Sequence, residues 1–418
     1  MKLLLSHPTG NANVRAVANA LAKENMLSVF YTTISCFPGS TLDYISRHHR
    51  FSEIKRRHYD SILEPYTKML LPWLEAGRML APKLGLQELT KGETDFFNIY
   101  RLYKEFDKAV SNKIKINKFC GVYAYEDGAL QSFIKAKSLG LTCFYDLPIG
   151  YWRTARTLLE KEKEKWPDWA NTLTGFSDSD EKLERKDQEL LLANKIFVAS
   201  KFTAKTLEDY PGKLAPVEVI PYGFPQTDGI REYEKISKIR PLRLLFVGGL
   251  SQRKGIANLF SAIEKLKNHV QLTVIGRKPK NSCPALNEAL SKHYWIDNLP
   301  HAEILKKMRE HDVLLFPSLF EGFGLVITEA MSQGTPVITT DRTAGPDLIE
   351  HGHNGWIIEA GSTQSLQENI EEILCRPQLI EQIGKEAMKT AGARPWDQYG
   401  LELSKALQKD KLNVKGIC

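Results

Sequence analysis

The sequence lacks long apolar runs and paired metal-binding cysteines. No stretch reaches about 18 uncharged apolar residues, the length that a membrane-spanning helix needs. The apolar run near the N terminus is three leucines long, which predicts a first strand and not a signal peptide. The six cysteines show no pairwise metal-ligand spacing and are expected to be reduced, mostly buried thiols. These features predict a cytoplasmic protein.

Two further absences argue against other classes of reaction. No Gly-x-Gly-x-x-Gly follows the first predicted strand, which disfavours a nicotinamide-dependent dehydrogenase. No carboxylate pair of the Asp-x-Asp kind lies near a predicted strand end, so no catalytic metal is expected. Basic residues exceed acidic ones by seven (57 against 50), which is too modest and too dispersed to indicate a nucleic-acid partner. The excess suits an anionic substrate or an anionic surface.

Alternating strands and helices predict an α/β protein with two doubly wound parallel sheets. At 418 residues the chain is long enough for two domains. We expect a first domain at 1–223, a linker rich in charge and proline at 224–241, a second domain at 242–396 and a helical segment at 397–418. The predicted strands are 2–6, 27–33, 121–125, 142–145, 195–200 and 217–223 in the first domain, and 243–247, 271–275, 294–296, 313–316, 336–339 and 355–358 in the second.

The most informative stretch places two glutamates, Glu321 and Glu329, eight residues apart across a turn that is expected to open a helix. Carboxylates suit diols because each oxygen accepts a hydrogen bond from a hydroxyl. Gly322 and Gly324 would let backbone N–H groups approach a sugar or a phosphate closely. The pattern predicts a clamp for sugar and ribose hydroxyls, and the alternative is two ordinary surface acids.

A second candidate site is the pair Arg253 and Lys254, which stands beside Gly255 at a predicted helix start. Fixed cations at a helix N terminus can neutralise a phosphate without a metal ion. The pair therefore predicts a metal-independent phosphate site, and the alternative is a solvated Arg-Lys pair.

Around these motifs the chain resembles the retaining glycosyltransferases of family 4. Their signature is two glutamates separated by seven residues, and their GT-B fold has two Rossmann-like domains that face each other across a cleft. The resemblance covers most of residues 240–396, including a strand, phosphate loop and helix start at 244–256 and closing strands and loops at 335–340, 345–349 and 354–358. It implies sugar transfer from a nucleotide-sugar donor with retention, and a last helix that returns to the first domain.

The resemblance also implies roles around the donor. Lys254 falls on a phosphate-contacting lysine, Glu329 would hold the ribose hydroxyls, and Glu321 would face the hydroxyls of the transferred sugar. Many relatives carry an arginine where this chain has Gly249, so Arg253 is expected to carry more of the phosphate charge. The other donor-binding candidates are Gly10, Gly248, Gly276, Arg277, Leu299, Phe323, Gly324 and Leu325.

The first domain supplies candidates for activating the acceptor hydroxyl. Asp127 and Asp146, with Glu126, follow two predicted strands at the edge where ligands bind in open α/β sheets. An ordinary loop or capping role is the alternative for each. His7 is a candidate base with a structural role as its alternative, and Tyr145 stands where relatives often place a histidine. By resemblance no protein base is required, because the departing phosphate oxygen can take the acceptor's proton.

Residues 47–91 carry nine basic residues against five acidic ones, interleaved with aromatic and aliphatic side chains. This composition predicts an amphipathic surface that contacts an anionic membrane, as would suit a lipid-linked acceptor. The alternative is a helical insertion that packs on its own domain.

Together these features predict a metal-independent, retaining glycosyltransferase that needs no cofactor. Its expected partners are a nucleotide-sugar donor and a glycan or lipid-linked acceptor, in the cytoplasm or peripherally at the membrane. Two alternatives remain open: a nucleotide-sugar epimerase of similar fold, and a catalytically degenerate relative that only binds a nucleotide or glycan.

Overall fold

The computed structural model describes residues 1–93, 95–115, 118–173, 176, 178–227, 229–234 and 240–411. Two parallel sheets, each with helices packed around it, form its core. Every described residue of β1 (Leu3–Ser6) and of β11 (Val313–Phe316), one strand from each sheet, is buried. Continuous apolar runs of this kind are typical of strands that are covered on both faces.

The first sheet has seven parallel strands, in the order β3-β2-β1-β4-β5-β6-β7. Besides β1, they are β2 (Leu27–Thr32), β3 (Thr67–Met69), β4 (Gly121–Tyr125), β5 (Thr142–Leu147), β6 (Lys195–Val198) and β7 (Val217–Val219). The helices of this part are α1 (Ala12–Lys23), α2 (Thr41–Arg47), α3 (Pro72–Leu80), α4 (Ile99–Ser111), α5 (Leu130–Ser138), α6 (Trp152–Lys165), α7 (Asp180–Leu192) and α8 (Lys201–Thr206).

The second sheet has six parallel strands, in the order β10-β9-β8-β11-β12-β13. Besides β11, they are β8 (Leu242–Val247), β9 (Val270–Ile275), β10 (Tyr294–Ile296), β12 (Val337–Thr340) and β13 (Trp356–Ile358). Its helices are α9 (Ile256–Leu266), α10 (Pro284–Ser291), α11 (His301–Glu310), α12 (Leu325–Ser332), α13 (Gly345–Leu348), α14 (Thr363–Cys375) and α15 (Leu379–Ala393), and α16 (Trp396–Lys411) follows.

Helix α16 packs against α1 of the first domain. At Gly400 the two helices approach so closely that an added Cβ would lie 2.7 Å from the Cβ of Ala20. Lys23 and Asp397 form an ion pair of 3.1 Å across the same contact. The end of the chain thus ties the second half of the molecule to the first.

Residues 152–173, which we call the crossing arm, form a second connection, in which first-domain residues contact the second domain. The arm begins at α6 on the first domain and ends in a 3-10 turn, Pro167–Thr172, against the second domain. There Trp169 is buried in the second domain's apolar core and stacks on Phe260 at a ring separation of 5.8 Å. The two domains are therefore joined by side-chain contacts as well as by the linker.

The predicted α/β fold with two doubly wound sheets is confirmed, with three local corrections. Residues 47–91, where no strand is predicted, contain β3, which pairs with β2 at the edge of the sheet. The strand expected at 217–223 ends at Val219, because Pro221 has no N–H to continue the ladder. Cys120 is disulfide-bonded, so the expectation of reduced thiols is wrong for this residue. Cys36, Cys143, Cys283 and Cys375 are free.

Parts of two predicted segments lie outside the described residues, namely 228 and 235–239 of the linker and 412–418 of the last segment. The domain boundaries therefore stay predictions. In the part of the chain that the structure describes, no helix has the length and apolar character needed to cross a bilayer.

Candidate active site

The two predicted cations and Glu321, the first glutamate of the predicted sugar clamp, meet at the carboxyl ends of β8 and β11. Arg253 and Lys254 lie in a 3-10 turn before α9, and Glu321 follows β11. Lys254 Nζ forms an ion pair with Glu321 Oε2, and Arg253 NH1 lies 3.2 Å from the same oxygen. The Arg253 guanidinium also donates to the carbonyl oxygen of Phe320 at 2.8 Å. One carboxylate oxygen thus holds both cations at the mouth of the cleft.

The environment keeps this carboxylate ionised. Burial alone would raise the pKa of Glu321, but the charges of Lys254 and Arg253 outweigh it and lower that pKa. Burial lowers the pKa of Lys254, and Glu321 opposes that shift. An incoming anion would compete with Glu321 for the same two cations.

Three glycines bring the loops of this site together. Gly255 has a φ of +70°, and a Cβ there would lie 2.0 Å from the carbonyl oxygen of Pro317, so no side chain fits between the cation turn and the Glu321 loop. A Cβ on Gly276 would lie 1.8 Å from the carbonyl oxygen of Gly248. The loops after β8 and β9 therefore contact each other through backbone atoms of Gly248 and Gly276. Such a contact leaves backbone groups accessible to a phosphate or a base.

The glycine-bearing turn after Glu321 also contacts the first domain. The carbonyl oxygen of Gly322 accepts hydrogen bonds from the hydroxyls of Ser200 and Thr203, at 2.6 and 2.8 Å. Phe323 is buried against Tyr222, with ring centroids 4.8 Å apart. Gly324 has a φ of +90° and starts α12, whose first N–H groups, including that of Leu325, have no partner inside the helix.

Glu329, the second glutamate of the predicted sugar clamp, occupies a separate position on α12. Glu329 Oε1 lies 3.0 Å from His301 Nε2 at the start of α11, and this contact raises the pKa of His301. Arg277 is exposed after β9, and Leu299 is half-buried before α11. Sequence reasoning missed His301, because its proximity to Glu329 depends on the packing of two helices.

In the first domain, His7 shapes the loop that carries Gly10. His7 Nδ1 accepts hydrogen bonds from the N–H groups of Gly10 and Thr9, at 2.8 and 3.1 Å. Burial, aided by Arg57, lowers the pKa of His7 to about 3, so the ring is neutral. This supports the structural alternative for His7. Gly10 has a φ of +61° and lies against the hydroxyl of Tyr59, where a Cβ would clash at 1.7 Å.

Two cavities meet beside Glu126. One, of about 210 Å³, lies between the domains and is lined by Arg253, Ser251 and Phe320 together with Trp152, Lys186 and Glu126. The other, of about 220 Å³, lies in the first domain and is lined by His7, Tyr103, Tyr125, Lys182, Asp127 and Glu126. Glu126 is the acid that lines both cavities, and it forms an ion pair of 2.9 Å with Lys186. Burial raises the pKa of Glu126 despite that lysine.

The two acids that the sequence predicts to activate the acceptor, Asp127 and Asp146, have different surroundings. Asp127 has a φ of +67° in the turn after β4, and its Oδ1 lies 3.3 Å from Lys186 Nζ. Asp146 is buried at the end of β5, where the hydroxyl of Tyr123 donates to it at 2.7 Å. Burial raises the pKa of Asp146 to about 7. Asp127 therefore lines a cavity, whereas Asp146 is buried beside Tyr123.

The second half of the chain is similar in sequence to known glycosyltransferases. Residues 230–390 match the family described as Glycosyl transferases group 1. The capsular polysaccharide biosynthesis glycosyltransferase CapM of Staphylococcus aureus is 32% identical over 155 residues, which is 34% of this chain and 40% of that protein. The amylovoran biosynthesis glycosyltransferase AmsK of Erwinia amylovora is 31% identical over 142 residues, which is 30% of this chain and 34% of that protein. The first curated relatives are matched over 34% to 47% of their own length.

Solved structures match over nearly the whole chain. Sucrose-phosphate synthase from Thermosynechococcus elongatus aligns with a TM-score of 0.64 at 16% identity, covering 99% of this chain and 100% of that one. Anabaena HepE in complex with UDP-glucose aligns with a TM-score of 0.61 at 16% identity, covering 98% and 100%. The two Rossmann-like domains form a GT-B fold. The sequence match to a glycosyltransferase family thus covers residues 230–390, and the solved structures show the fold of the whole chain.

Proposed function

We propose that this protein is a retaining glycosyltransferase of the Glu-x7-Glu type. It transfers a sugar from a nucleoside-diphosphate sugar to a glycan or lipid-linked acceptor, with no metal ion in the transfer step. The observation that carries the proposal is the pairing of Arg253 and Lys254 with Glu321, together with the interdomain cavity that Arg253 and Glu126 line. These cations replace the metal in neutralising the charge that builds on the leaving phosphate.

Each donor group has a partner in this proposal. Arg253 and Lys254 bind the diphosphate next to the backbone of Gly248, and Glu321, released from the cations, accepts hydrogen bonds from hydroxyls of the sugar. Glu329 binds the ribose hydroxyls beside His301. HepE is described in complex with UDP and with UDP-glucose, which makes a uridine-diphosphate sugar the first donor to test.

The chemical step follows from the charge distribution. The bond between the sugar carbon and the phosphate oxygen breaks while the acceptor hydroxyl approaches on the same face. The departing phosphate oxygen takes the acceptor's proton, and Glu126 and Asp127 orient that hydroxyl from the first domain. Closure of the two domains excludes water and so limits hydrolysis of the donor.

The test is a thermal-shift panel of nucleoside diphosphates and their sugars, with and without Mg²⁺. A ligand that binds only the folded state raises the melting temperature. We expect a shift that is independent of Mg²⁺ in the wild type and largely lost in Lys254→Ala. The control is Lys385→Ala, which removes an exposed lysine of α15 and should shift like the wild type. The absence of any shift, or an equal shift in Lys254→Ala, would contradict the site.

We further propose that the protein binds an anionic membrane surface peripherally through the region of residues 47–91. Large apolar side chains are exposed there and just beyond, including Trp73, Leu84 and Leu86, and Trp73 lies 5.8 Å from the ring of Phe96. The neighbouring Ile99 lines the first-domain cavity. A lipid-linked acceptor bound in that cavity could therefore remain in the membrane by its tail.

A further inference from the structure

Three metal-ligating side chains converge in the first domain, near the end of β2. Cys36 follows the strand, Asp43 lies in the first turn of α2, and His58 precedes Tyr59. One ligating atom of each residue lies within 4.8 Å of the other two. The backbone fixes their spacing, since Cys36 and His58 form a parallel bridge and the N–H of Tyr59 donates to the carbonyl oxygen of Cys36 at 2.9 Å.

The carboxylate of Asp43 is oriented by its own partners. Its Oδ2 accepts hydrogen bonds from Arg47 at 2.9 Å and from the N–H of Gly39 at 3.2 Å. Its Oδ1 lies 3.3 Å from His58 Nε2. Hydrogen bonds that hold one oxygen of a carboxylate and leave the other beside a histidine are typical of the outer shell of a metal site.

The other two side chains present unused ligand atoms. The thiol of Cys36 is free and buried, and its Sγ lies 3.9 Å from the hydroxyl of Ser40. His58 Nε2 is shielded from solvent and makes no hydrogen bond of good geometry, although Asp43 is near. A buried polar atom without a partner carries a desolvation cost that a bound cation would remove.

We propose that Cys36, Asp43 and His58 bind one divalent transition-metal ion of the zinc class. A thiolate, an imidazole nitrogen and a carboxylate oxygen form a ligand set that suits Zn²⁺, with a water molecule or the Ser40 hydroxyl in the fourth position. The thiolate and the carboxylate would balance the two charges of the ion. The site goes beyond the proposed transferase function and does not depend on it.

The role of such a site is structural. The ion would cross-link the segment after β2 to the segment that carries His58. The next residue, Tyr59, packs its hydroxyl against Gly10. The Tyr59 hydroxyl lies 3.3 Å from that of Thr32, which positions it from the other side. The metal would thus hold the loop of the first domain that faces the cleft.

The experiment is a titration of the chelator-treated full-length chain with Co²⁺, which stands in for Zn²⁺ and absorbs strongly when a thiolate binds it. We expect one equivalent to produce the thiolate-to-cobalt absorption band and Zn²⁺ to displace it. Cys36→Ser should abolish the band. Cys375→Ser, which removes an exposed free cysteine on α14, should leave it intact.

Wild-type protein without the band, or a band that survives Cys36→Ser, would overturn the proposal. If Cys36→Ser does not fold, His58→Asn keeps the thiol and decides the question. That variant should bind Co²⁺ at least about tenfold more weakly, because it lacks one ligand. An unchanged Co²⁺ affinity in His58→Asn would also overturn the site.

Discussion

Gly249 lies in the loop after β8, which we propose to bind the donor phosphates, and it has room for a further cation. No atom lies within 4 Å of a Cβ built at this position, and its φ is outside the left-handed region that requires glycine. We predict that Gly249→Arg tightens binding of UDP by about 0.5–1.5 kcal/mol, roughly two- to tenfold in Kd, because it adds a charge-assisted hydrogen bond to a phosphate. Isothermal titration calorimetry at fixed salt measures the change.

The matched control for this prediction is Gly249→Gln, which has a long polar side chain without the charge. It should bind UDP like the wild type. Equal affinity in the Arg variant and the Gln variant would show that the loop does not face the diphosphate, and the assignment of Arg253 and Lys254 would then need revision.

Asp146 provides a test of pH dependence at the same scale. Its folded-state pKa is about 7 against an ordinary value of 3.8, so between these values the folded protein holds a proton that the unfolded chain has released. The free energy of unfolding therefore falls as the pH rises from about 4 to 7, by roughly 4 kcal/mol as an upper bound. Asp146→Asn, which can still accept the hydrogen bond of Tyr123, should remove this loss.

Melting temperatures of the wild type and Asp146→Asn, measured from pH 4 to pH 8, test this prediction. The variant should be the more stable protein at pH 8, and the difference should shrink toward pH 4. Parallel curves would mean that the carboxylate titrates at its ordinary value. Glu189, whose pKa burial raises to about 8, contributes to both proteins and cancels in the difference.

At the scale of elements, the crossing arm of the first domain contacts the turn that carries Arg253 and Lys254 in the second domain. The hydroxyl oxygen of Thr172 accepts the buried N–H of Gln252 at 2.8 Å, and the Gln252 amide donates to Glu162 at 3.1 Å. Gln252 directly precedes Arg253. We predict that Thr172→Val destabilises the protein by about 1–3 kcal/mol, because a buried donor loses its acceptor, and weakens UDP binding as well.

Urea unfolding and calorimetry with UDP measure these two effects. Thr157→Val is the control, because this exposed hydroxyl lies on α6 of the same arm and donates to the carbonyl oxygen of Arg153. A stability loss with unchanged UDP affinity would make the arm a structural tie alone. Weakened affinity would make Thr172 a positioning residue for the cations.

Strand bounds were predicted correctly where the local sequence alone indicates a buried strand. The strands at 121–125, 294–296 and 313–316 have the predicted bounds, because each is a short run of mostly apolar residues that stops at an acidic residue or a proline. β3 was missed, since Thr67–Met69 is exposed or half-buried and becomes a strand only by pairing with the edge of β2. Sequence patterns report burial more directly than pairing.

Site residues likewise fall into those that a local motif indicates and those that only tertiary contacts bring together. Glu321, Arg253 and Lys254 could be selected from local motifs, and the structure brings them together. The contacts of Glu329 with His301 and of Cys36 with His58 join residues that are far apart along the chain, so spacing gave no signal for them. The position of Glu126 at the interdomain cavity likewise depends on how the two domains are placed relative to each other.

At the scale of the molecule, two connections act in opposite directions across the cleft. Helix α16 carries the chain's end back to α1, and the crossing arm carries first-domain residues to the second domain's core. The loop after Glu321 adds a third contact through Gly322. A donor bound between the domains would contact both of them and so favour their closure, which excludes water from the site.

The distribution of charge and apolar surface leads to the last prediction, on membrane binding. Residues 47–91 combine a basic excess of four (nine against five) with exposed side chains such as Leu84, which is 71% exposed. We expect the protein to co-sediment with anionic lipid vesicles at low salt and to dissociate as salt rises, because screening weakens the attraction of basic residues to headgroups. Leu84→Glu should reduce binding, whereas Ile230→Glu, at a 93% exposed residue elsewhere on the chain, should not. Absence of binding at low salt would remove the membrane from the proposed function, and equal loss in both variants would place the contact outside this region.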